Sequence, residues 1–160
     1  MKTAELLRTK SDLISRAYEF AETAHKGQER RSGGDYFNHC LAAAEELAGW
    51  GMDETTIAAC LLHDVVEDTD CTAEDVEREF GPDIRHLVDG ITKLGRVKYR
   101  GVEGQTENLR KLILAMAEDL RVVFIKLADR LHNMKTLNAL PPAKQERIAL
   151  ETMEIYAPLA

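Results

Sequence analysis

Apolar residues recur at the spacing of an α-helix through nearly the whole chain. The clearest series is Leu120, Val123, Leu127, Leu131 and Met134. These positions are three or four residues apart, which places their side chains on one helix face. The run at 122–125 is β-prone by composition, but the helical spacing continues through it. No stretch of four to eight residues shows convincing strand alternation, so the chain is predicted to be all-α.

Capping residues and glycines divide this pattern into separate helices. The predicted helices cover 12 to about 26, 37–50, 54 to about 66, 73–80, 83–94, 106–117, 120–137, and 143 onward. Ser11 and Asp53 are expected to cap the first and third helices, and Thr72 with Asp75 resembles a capping box. The glycine-containing basic loop at 95–104 is either a mobile lid or a plain solvated loop.

Composition narrows the class of protein. With 160 residues, 44% of them apolar and 31% charged, residues 1–160 are predicted to form one domain. No apolar run reaches the roughly 20 residues that span a bilayer, and the first residues lack the apolar core of a signal peptide, so a cytoplasmic location is expected. Three cysteines without CxxC spacing are expected to be free thiols. The net charge of −7 argues against a general nucleic-acid binder, but a small phosphorylated substrate remains possible.

The apolar run at 58–62 changes abruptly into a cluster of metal-ligand and acid/base side chains. On a continuous helix, His63 would lie above Glu67 and Asp64 above Asp68, because each pair is four residues apart. A histidine beside carboxylates can hold a divalent cation and orient a water. The alternative is a helix end with solvated acids.

Two distant residues could complete such a site. His39 begins a helix after a glycine-rich basic loop, and Asp129 lies on the same helix face as Asn133 and Thr136. Taken alone, His39 could be a core or capping residue and Asp129 could pair with Arg130. Together with His63 and Asp64, they supply two imidazoles and two carboxylates from three helices. This set favours Mn²⁺, Fe²⁺ or Mg²⁺ over tetrahedral zinc.

The order of these residues, H…HD…D, is that of the HD phosphohydrolase superfamily. The chain more closely resembles the (p)ppGpp hydrolase domain of the Rel/Spo alarmone synthetase/hydrolase family, from about residue 12 to the end. The motifs that carry this resemblance are Ala24–Gln28, Arg30–Gly33, Tyr36, His39, His63–Thr69, Phe80–Asp83, Val88–Leu94 and Lys126–Met134.

The resemblance implies an HD-domain helical bundle with one metal site between helices. It also implies an enzyme that hydrolyses the 3′-pyrophosphate of (p)ppGpp to GDP or GTP and pyrophosphate, using Mn²⁺. The implied metal ligands are His39, His63, Asp64 and Asp129. The residues expected to position or deprotonate the attacking water are Glu67 and Asp68. The implied substrate-binding residues are Arg30, Arg31, Ser32, Asn133 and Thr136, with Arg30 packing on the guanine.

The chain departs from the family pattern in the loop that follows Arg30. Arg31 replaces a lysine, which keeps the charge and alters the geometry, and Gly34–Asp35 replaces Glu–Pro, which is expected to loosen the loop. Neither change affects a proposed metal ligand.

Two other functions remain open. One is an HD phosphatase that acts on another nucleotide, such as a dNTP or NADPH. The other is a non-catalytic domain that binds a guanine nucleotide and regulates another activity. In long family members a synthetase domain follows, so residues 1–160 are expected to be excised from, or truncated relative to, a longer chain. The oligomeric state is left open.

Overall fold

The first helix begins as its cap predicts, with the Ser11 hydroxyl accepting a hydrogen bond from the backbone N–H of Ile14. The computed structural model describes residues 11–30, 33–95, 110–111 and 113–160. In chain order its helices are α1 (Asp12–Ala24), α2 (Phe37–Gly49), α3 (Glu54–Leu61), α4 (Val65–Asp68), α5 (Ala73–Phe80), α6 (Pro82–Gly95), α7 (Leu120–Lys135) and α8 (Pro142–Glu151).

Residues 110–111 and 113–118 are also helical, and short 3₁₀ or π turns occur at Leu137–Ala139, Thr152–Tyr156 and Ala157–Leu159. The described ranges contain no strand; one isolated antiparallel bridge joins Glu29 to Asp35. The all-α prediction is therefore confirmed. Residues 96–109, which include most of the basic loop predicted at 95–104, lie outside the described residues.

Helix α3 is at the centre of the bundle, where it packs against α1, α2, α6 and α7. Every residue from Thr56 to Leu61 is buried, as expected for a helix that is apolar on all sides. Asp53 caps its first turn by accepting a hydrogen bond of 2.9 Å from the Thr56 backbone N–H. The C-terminal end of α3 therefore delivers the His63–Asp64 pair into the interior. Among the described helices, none is both long enough and apolar enough to cross a membrane.

The prediction of one helix from 54 to about 66 was wrong. Helix α3 ends at Leu61, the chain turns through residues 62–64, and α4 starts at Val65. The His63 side chain accounts for the break, because its Nδ1 lies 2.6 Å from the carbonyl oxygen of Cys60. In a continuous helix that carbonyl would accept the N–H of Asp64.

The remaining boundaries agree closely with the sequence pattern. The capping box at Thr72 and Asp75 is present, with each side chain accepting the other residue's backbone N–H. Helix α7 ends at Lys135 rather than at 137, because a 3₁₀ turn follows. The helix predicted at 106–117 is observed at the described positions 110–111 and 113–118.

Candidate metal centre

The four predicted metal ligands converge from three separate segments of the chain. His39 is on α2, the His63–Asp64 pair follows α3, and Asp129 is on α7. Nε2 of His39 lies 3.0 Å from Oδ1 of Asp129 and 3.9 Å from Oδ2 of Asp64. One ligand atom each from His39, His63 and Asp129 lies within 4.8 Å of the others. These separations suit side chains that share one cation.

The state of His63 is an independent test of whether these residues fit a metal. A carbonyl oxygen only accepts hydrogen bonds, so Nδ1 of His63 must donate to Cys60, and Nε2 is the nitrogen that a cation could bind in exchange for any proton there. Nε2 is buried and makes no hydrogen bond, although it is 3.1 Å from Oδ1 of Asp64. A buried ring nitrogen without a hydrogen bond, facing carboxylates, fits a divalent cation bound by nitrogen and oxygen ligands.

The carboxylates of the cluster remain ionised despite their burial. Burial alone raises the pKa of Asp64, but the nearby imidazole of His63 lowers this pKa to about 2. Burial likewise opposes ionisation of Asp129, yet the charge of Lys126 holds the pKa of Asp129 well below its ordinary value. The Nζ of Lys126 donates a hydrogen bond of 3.2 Å to Oδ2 of Asp129. Two ionised carboxylates at the centre favour the binding of a cation.

The Cys40 thiol lies close enough to His63 and Asp64 to form a second possible ligand group. Cys40 is fully buried, and burial raises the pKa of its thiol well above the ordinary value. Because the thiolate is the form that binds metals, a thiol that stays protonated favours a packing role for Cys40.

The two predicted acid/base residues lie on α4, next to the predicted metal ligands. The hydroxyl of Tyr36 is 2.7 Å from Oδ2 of Asp68 and 3.0 Å from Oδ2 of Asp64. The side-chain amide of Gln28 donates a hydrogen bond of 2.6 Å to the backbone carbonyl of Asp68. Burial, and then the two carboxylates, raise the pKa of Tyr36, so its hydroxyl stays a donor.

Asp64 and Asp68 share a face, as their spacing predicted, because both reach the Tyr36 hydroxyl. The predicted stacking of His63 on Glu67 assumed a continuous helix, and this assumption was wrong because His63 lies in the turn before α4. Glu67 is exposed. Oε1 of Glu67 lies 3.7 Å from the position that a Cβ on Gly95 would occupy, and Nζ of Lys126 lies 3.4 Å from it. Both side chains are therefore close to the end of α6.

Two of the predicted substrate-binding residues, Arg30 and Asn133, meet beside Asp129. Arg30 donates a hydrogen bond of 2.9 Å to Oδ1 of Asn133, whose Nδ2 donates one of 2.8 Å to Oδ1 of Asp129. The Arg30 guanidinium also lies over the ring of Tyr36, 5.7 Å from its centroid. The hydroxyl of Thr136 donates to the carbonyl of His132 in its own helix, 3.1 Å away.

Arg31 and Ser32 lie outside the described residues. The loop around them closes through a hydrogen bond of 3.1 Å from the Arg30 backbone N–H to the Gly34 carbonyl. Gly34 has a φ of +80°, which L residues rarely adopt, so the glycine that departs from the family pattern suits this backbone.

The sequence interpretation gave no role to three residues that contact the site: Tyr36, Lys126 and His132. Lys126 and His132 lie three residues before and after Asp129, so one helical turn places them beside it. That spacing was a usable signal. Nδ1 of His132 is 2.6 Å from Nδ1 of His39, and burial, followed by His39 and Arg30, lowers the pKa of His132 to about 4. Tyr36 gave no comparable signal, since its contacts depend on tertiary structure.

The chain is similar to several known proteins. A family model described as HD domain matches residues 17–160. The chain is 55% identical over 147 residues to a GTP pyrophosphokinase of Streptomyces coelicolor, covering 92% of this chain and 17% of that protein. It is 54% identical over 147 residues to a guanosine-3′,5′-bis(diphosphate) 3′-pyrophosphohydrolase of Aquifex aeolicus, covering 92% and 21% respectively.

A solved structure of a metazoan ortholog of SpoT, which hydrolyzes ppGpp and plays a role in starvation responses, also matches. It superposes with a TM-score of 0.73 and 31% identity, over 93% of this chain and 86% of that one. The chain spans only 17% and 21% of the length of the two curated relatives named above.

Proposed function

The chain belongs to the HD domain family, and from that premise we propose that it hydrolyses the 3′-pyrophosphate of (p)ppGpp. The products are GDP or GTP and pyrophosphate, which makes the protein a guanosine-3′,5′-bis(diphosphate) 3′-diphosphohydrolase. The observation that carries this proposal is the convergence of His39, His63, Asp64 and Asp129 between a pair of carboxylates and an arginine. The names of the relatives support the choice of substrate.

His39, His63, Asp64 and Asp129 would hold the ion, with Mn²⁺ preferred over Fe²⁺ or Mg²⁺. A divalent ion bound there lowers the pKa of a water and offsets negative charge on the substrate phosphates. Asp64 and Asp129 enter this role already ionised, since both have lowered pKa values. The ammonium group of Lys126 pairs with Oδ2 of Asp129 and offsets the charge of this carboxylate.

Glu67 and Asp68 are proposed to position the attacking water and to accept its proton. A water oxygen adds to the phosphorus attached to the 3′ oxygen, and the bond between that phosphorus and the 3′ oxygen breaks. One of the two carboxylates takes the water proton, and the 3′ oxygen gains a proton to become a hydroxyl. Hydrogen bonds to Tyr36 and Gln28 hold Asp68 in place for this work.

Arg30 is proposed to pack on the guanine, because a planar guanidinium can stack on a purine. In the structure its donors are directed at Asn133 and His132, so binding would exchange some of these contacts for the nucleotide. Arg31, Ser32, Asn133 and Thr136 are the remaining proposed contacts to the substrate. Because the relatives are much longer, we also propose that this sequence acts as the hydrolase domain of a larger protein that includes a synthetase domain.

The decisive experiment is anion-exchange analysis of ppGpp incubated with purified, Mn²⁺-loaded protein. Release of GDP with intact pyrophosphate is expected. Glu67→Gln and Asp68→Asn should lower kcat by about 10²–10⁴-fold while sparing nucleotide binding. Glu74→Gln is the matched control, because this glutamate is 70% exposed on α5 and pairs with Arg85 at the surface.

The outcomes separate the rival functions. Orthophosphate as first product, or faster turnover of dGTP or NADPH, would establish a different HD phosphatase. Tight nucleotide binding without turnover would establish a regulatory binding domain. Full activity of the Glu67→Gln, Asp68→Asn double variant would overturn the assigned roles of both carboxylates.

A further inference from the structure

Two tilted imidazole rings meet beside the candidate metal centre, with a nitrogen of each facing the other. The Nδ1 atoms of His39 and His132 lie 2.6 Å apart. At that distance one nitrogen must carry a proton and the other must accept it, since two lone pairs would repel and two N–H groups would collide. The contact therefore has a direction, and the direction determines which nitrogen of His39 faces the metal ligands.

Arg30 determines that direction. One of its terminal guanidinium nitrogens lies 3.3 Å from Nδ1 of His132. A guanidinium has only donors, so Nδ1 of His132 must be the acceptor in this contact. The one lone pair of this nitrogen is therefore shared between the longer contact from Arg30 and the shorter one from His39, and Nδ1 of His39 carries the proton.

The consequence appears on the far side of the His39 ring. Nε2, on that side, lies 3.0 Å from Oδ1 of Asp129. With Nδ1 committed to His132, Nε2 is the nitrogen of His39 that can bind a metal shared with Asp129. We propose that His132 is a positioning residue that fixes the tautomer and orientation of His39, so that Nε2 is available to a metal, and that links this ligand to Arg30.

This inference rests on the proposed metal site and does not depend on which substrate is hydrolysed. A metal-binding histidine commonly donates its second N–H to a carboxylate, a backbone carbonyl or a water. Here an imidazole on α7 accepts it, three residues after Asp129 on the same helix. Helix α7 thus supplies the ligand Asp129 directly and, through His132, orients the ligand His39 on α2. The substrate arginine contacts the same acceptor, so displacing Arg30 also alters the surroundings of His39.

The proton position can be read directly by ¹H–¹⁵N correlation spectroscopy of the imidazole nitrogens, with no substitution. In chelator-treated protein and in protein loaded with diamagnetic Zn²⁺, His132 is expected to be protonated at Nε2 and bare at Nδ1. A proton on Nδ1 of His132 would overturn the proposal.

Mn²⁺ affinity, measured by titration calorimetry, gives the second readout. His132→Leu should weaken Mn²⁺ binding by about 10–100-fold. His132→Asn should restore most of the loss, because its Oδ1 can accept a hydrogen bond near the position of Nδ1. His86→Leu, which removes an exposed histidine on α6, is the control and should bind Mn²⁺ like the wild type.

Unchanged Mn²⁺ affinity in a folded His132→Leu protein would overturn the proposal. If that variant fails to fold, the spectroscopy of the unmodified protein decides. Normal Mn²⁺ affinity and the expected tautomer, together with no hydrolysis of ppGpp, would count against the proposed reaction and leave the role of His132 intact.

Discussion

The hydroxyl of Tyr36 donates a 2.7 Å hydrogen bond to the carboxylate of Asp68. This contact joins the end of the glycine-rich loop to the helix that carries both acid/base candidates. Gln28, at the start of the same loop, bonds the backbone carbonyl of Asp68. Asp68 is therefore held by its side chain and by its backbone, although it is exposed.

Removing the Tyr36 hydroxyl should slow hydrolysis and leave the fold intact. A hydrogen bond to a charged group contributes about 1.5–3 kcal/mol, so Tyr36→Phe is expected to lower kcat by about 10–100-fold. Steady-state kinetics with ppGpp measures this change. Tyr18→Phe is the control, because its ring is buried and its hydroxyl lies near Glu22, away from the centre. Equal rates for the two variants would contradict the prediction.

Replacing Lys126 should destabilise the metal-free protein. The side chain of Lys126 is 12% exposed and pairs with Asp129, and breaking such a buried pair costs about 3–5 kcal/mol. Urea unfolding of Lys126→Met in the presence of a chelator tests this. Added Mn²⁺ should recover part of the loss, because the ion takes over the neutralisation of Asp129.

Lys135→Met is the matched control for Lys126→Met. Lys135 pairs with Glu46 but is 55% exposed, and surface pairs of this kind contribute about 1 kcal/mol or less. A loss for Lys126→Met no greater than that for Lys135→Met would show that the buried pair does not support the fold.

The stabilisation by Mn²⁺ should grow with pH. Burial alone lowers the pKa of His63, but Asp64 raises it well above the ordinary value of 6.5. A raised folded-state pKa gives stability that is present below the unfolded pKa and is lost as pH rises through the folded value. Mn²⁺ must displace this proton, so binding tightens with rising pH.

Thermal unfolding with Mn²⁺ and with a chelator, compared from about pH 6 to about pH 8, measures this effect. The gap between the two Tm values should widen as the pH rises. A constant gap would mean that no proton leaves the ligands when the metal binds.

Gly90 on α6 should not tolerate alanine. An added Cβ would lie 2.8 Å from Cγ2 of Val122, a buried and β-branched side chain with little freedom to move. Overpacking of this kind costs about 1–3 kcal/mol and exceeds the gain of up to about 1 kcal/mol in helix propensity. Denaturant unfolding should therefore show Gly90→Ala to be less stable than the wild type.

Gly49→Ala is the control for Gly90→Ala, since a Cβ on Gly49 in α2 would meet nothing within 4 Å. It should be neutral or slightly stabilising. If both variants are equally stable, the packing of α6 against α7 is looser than this contact implies.

The helices could be read from the sequence because their signals are local. Ser11, Asp53 and Thr72 cap as their types predict. The apolar spacing of α7 predicted a helix but not its buried face, since Leu120 and Leu131 are exposed. The break after Leu61 could not be read in this way. It depends on the His63 ring bonding the Cys60 carbonyl, and helical periodicity contains no information about that competition.

The convergence of His39, His63, Asp64 and Asp129 could be predicted because their residue types are unusual in these positions and their order resembles that of a known family. Tyr36 could not be assigned, because its partner Asp68 is 32 residues away and only folding brings them together. The role of His132 was equally hidden, since it contacts His39 across 93 residues. The i+3 spacing from Asp129 placed His132 near the site but did not indicate which group it would bind.

The candidate ligands come from positions 39, 63–64 and 129, so a bound ion would fasten together segments that an unfolded chain holds far apart. An ion that binds the native state alone adds about 2.7 kcal/mol of stability at a concentration 100 times its Kd. That would reduce the fraction of unfolded chains about a hundredfold, and unfolded chains are what proteases degrade. The supply of free metal would then set the lifetime of each molecule as well as its turnover.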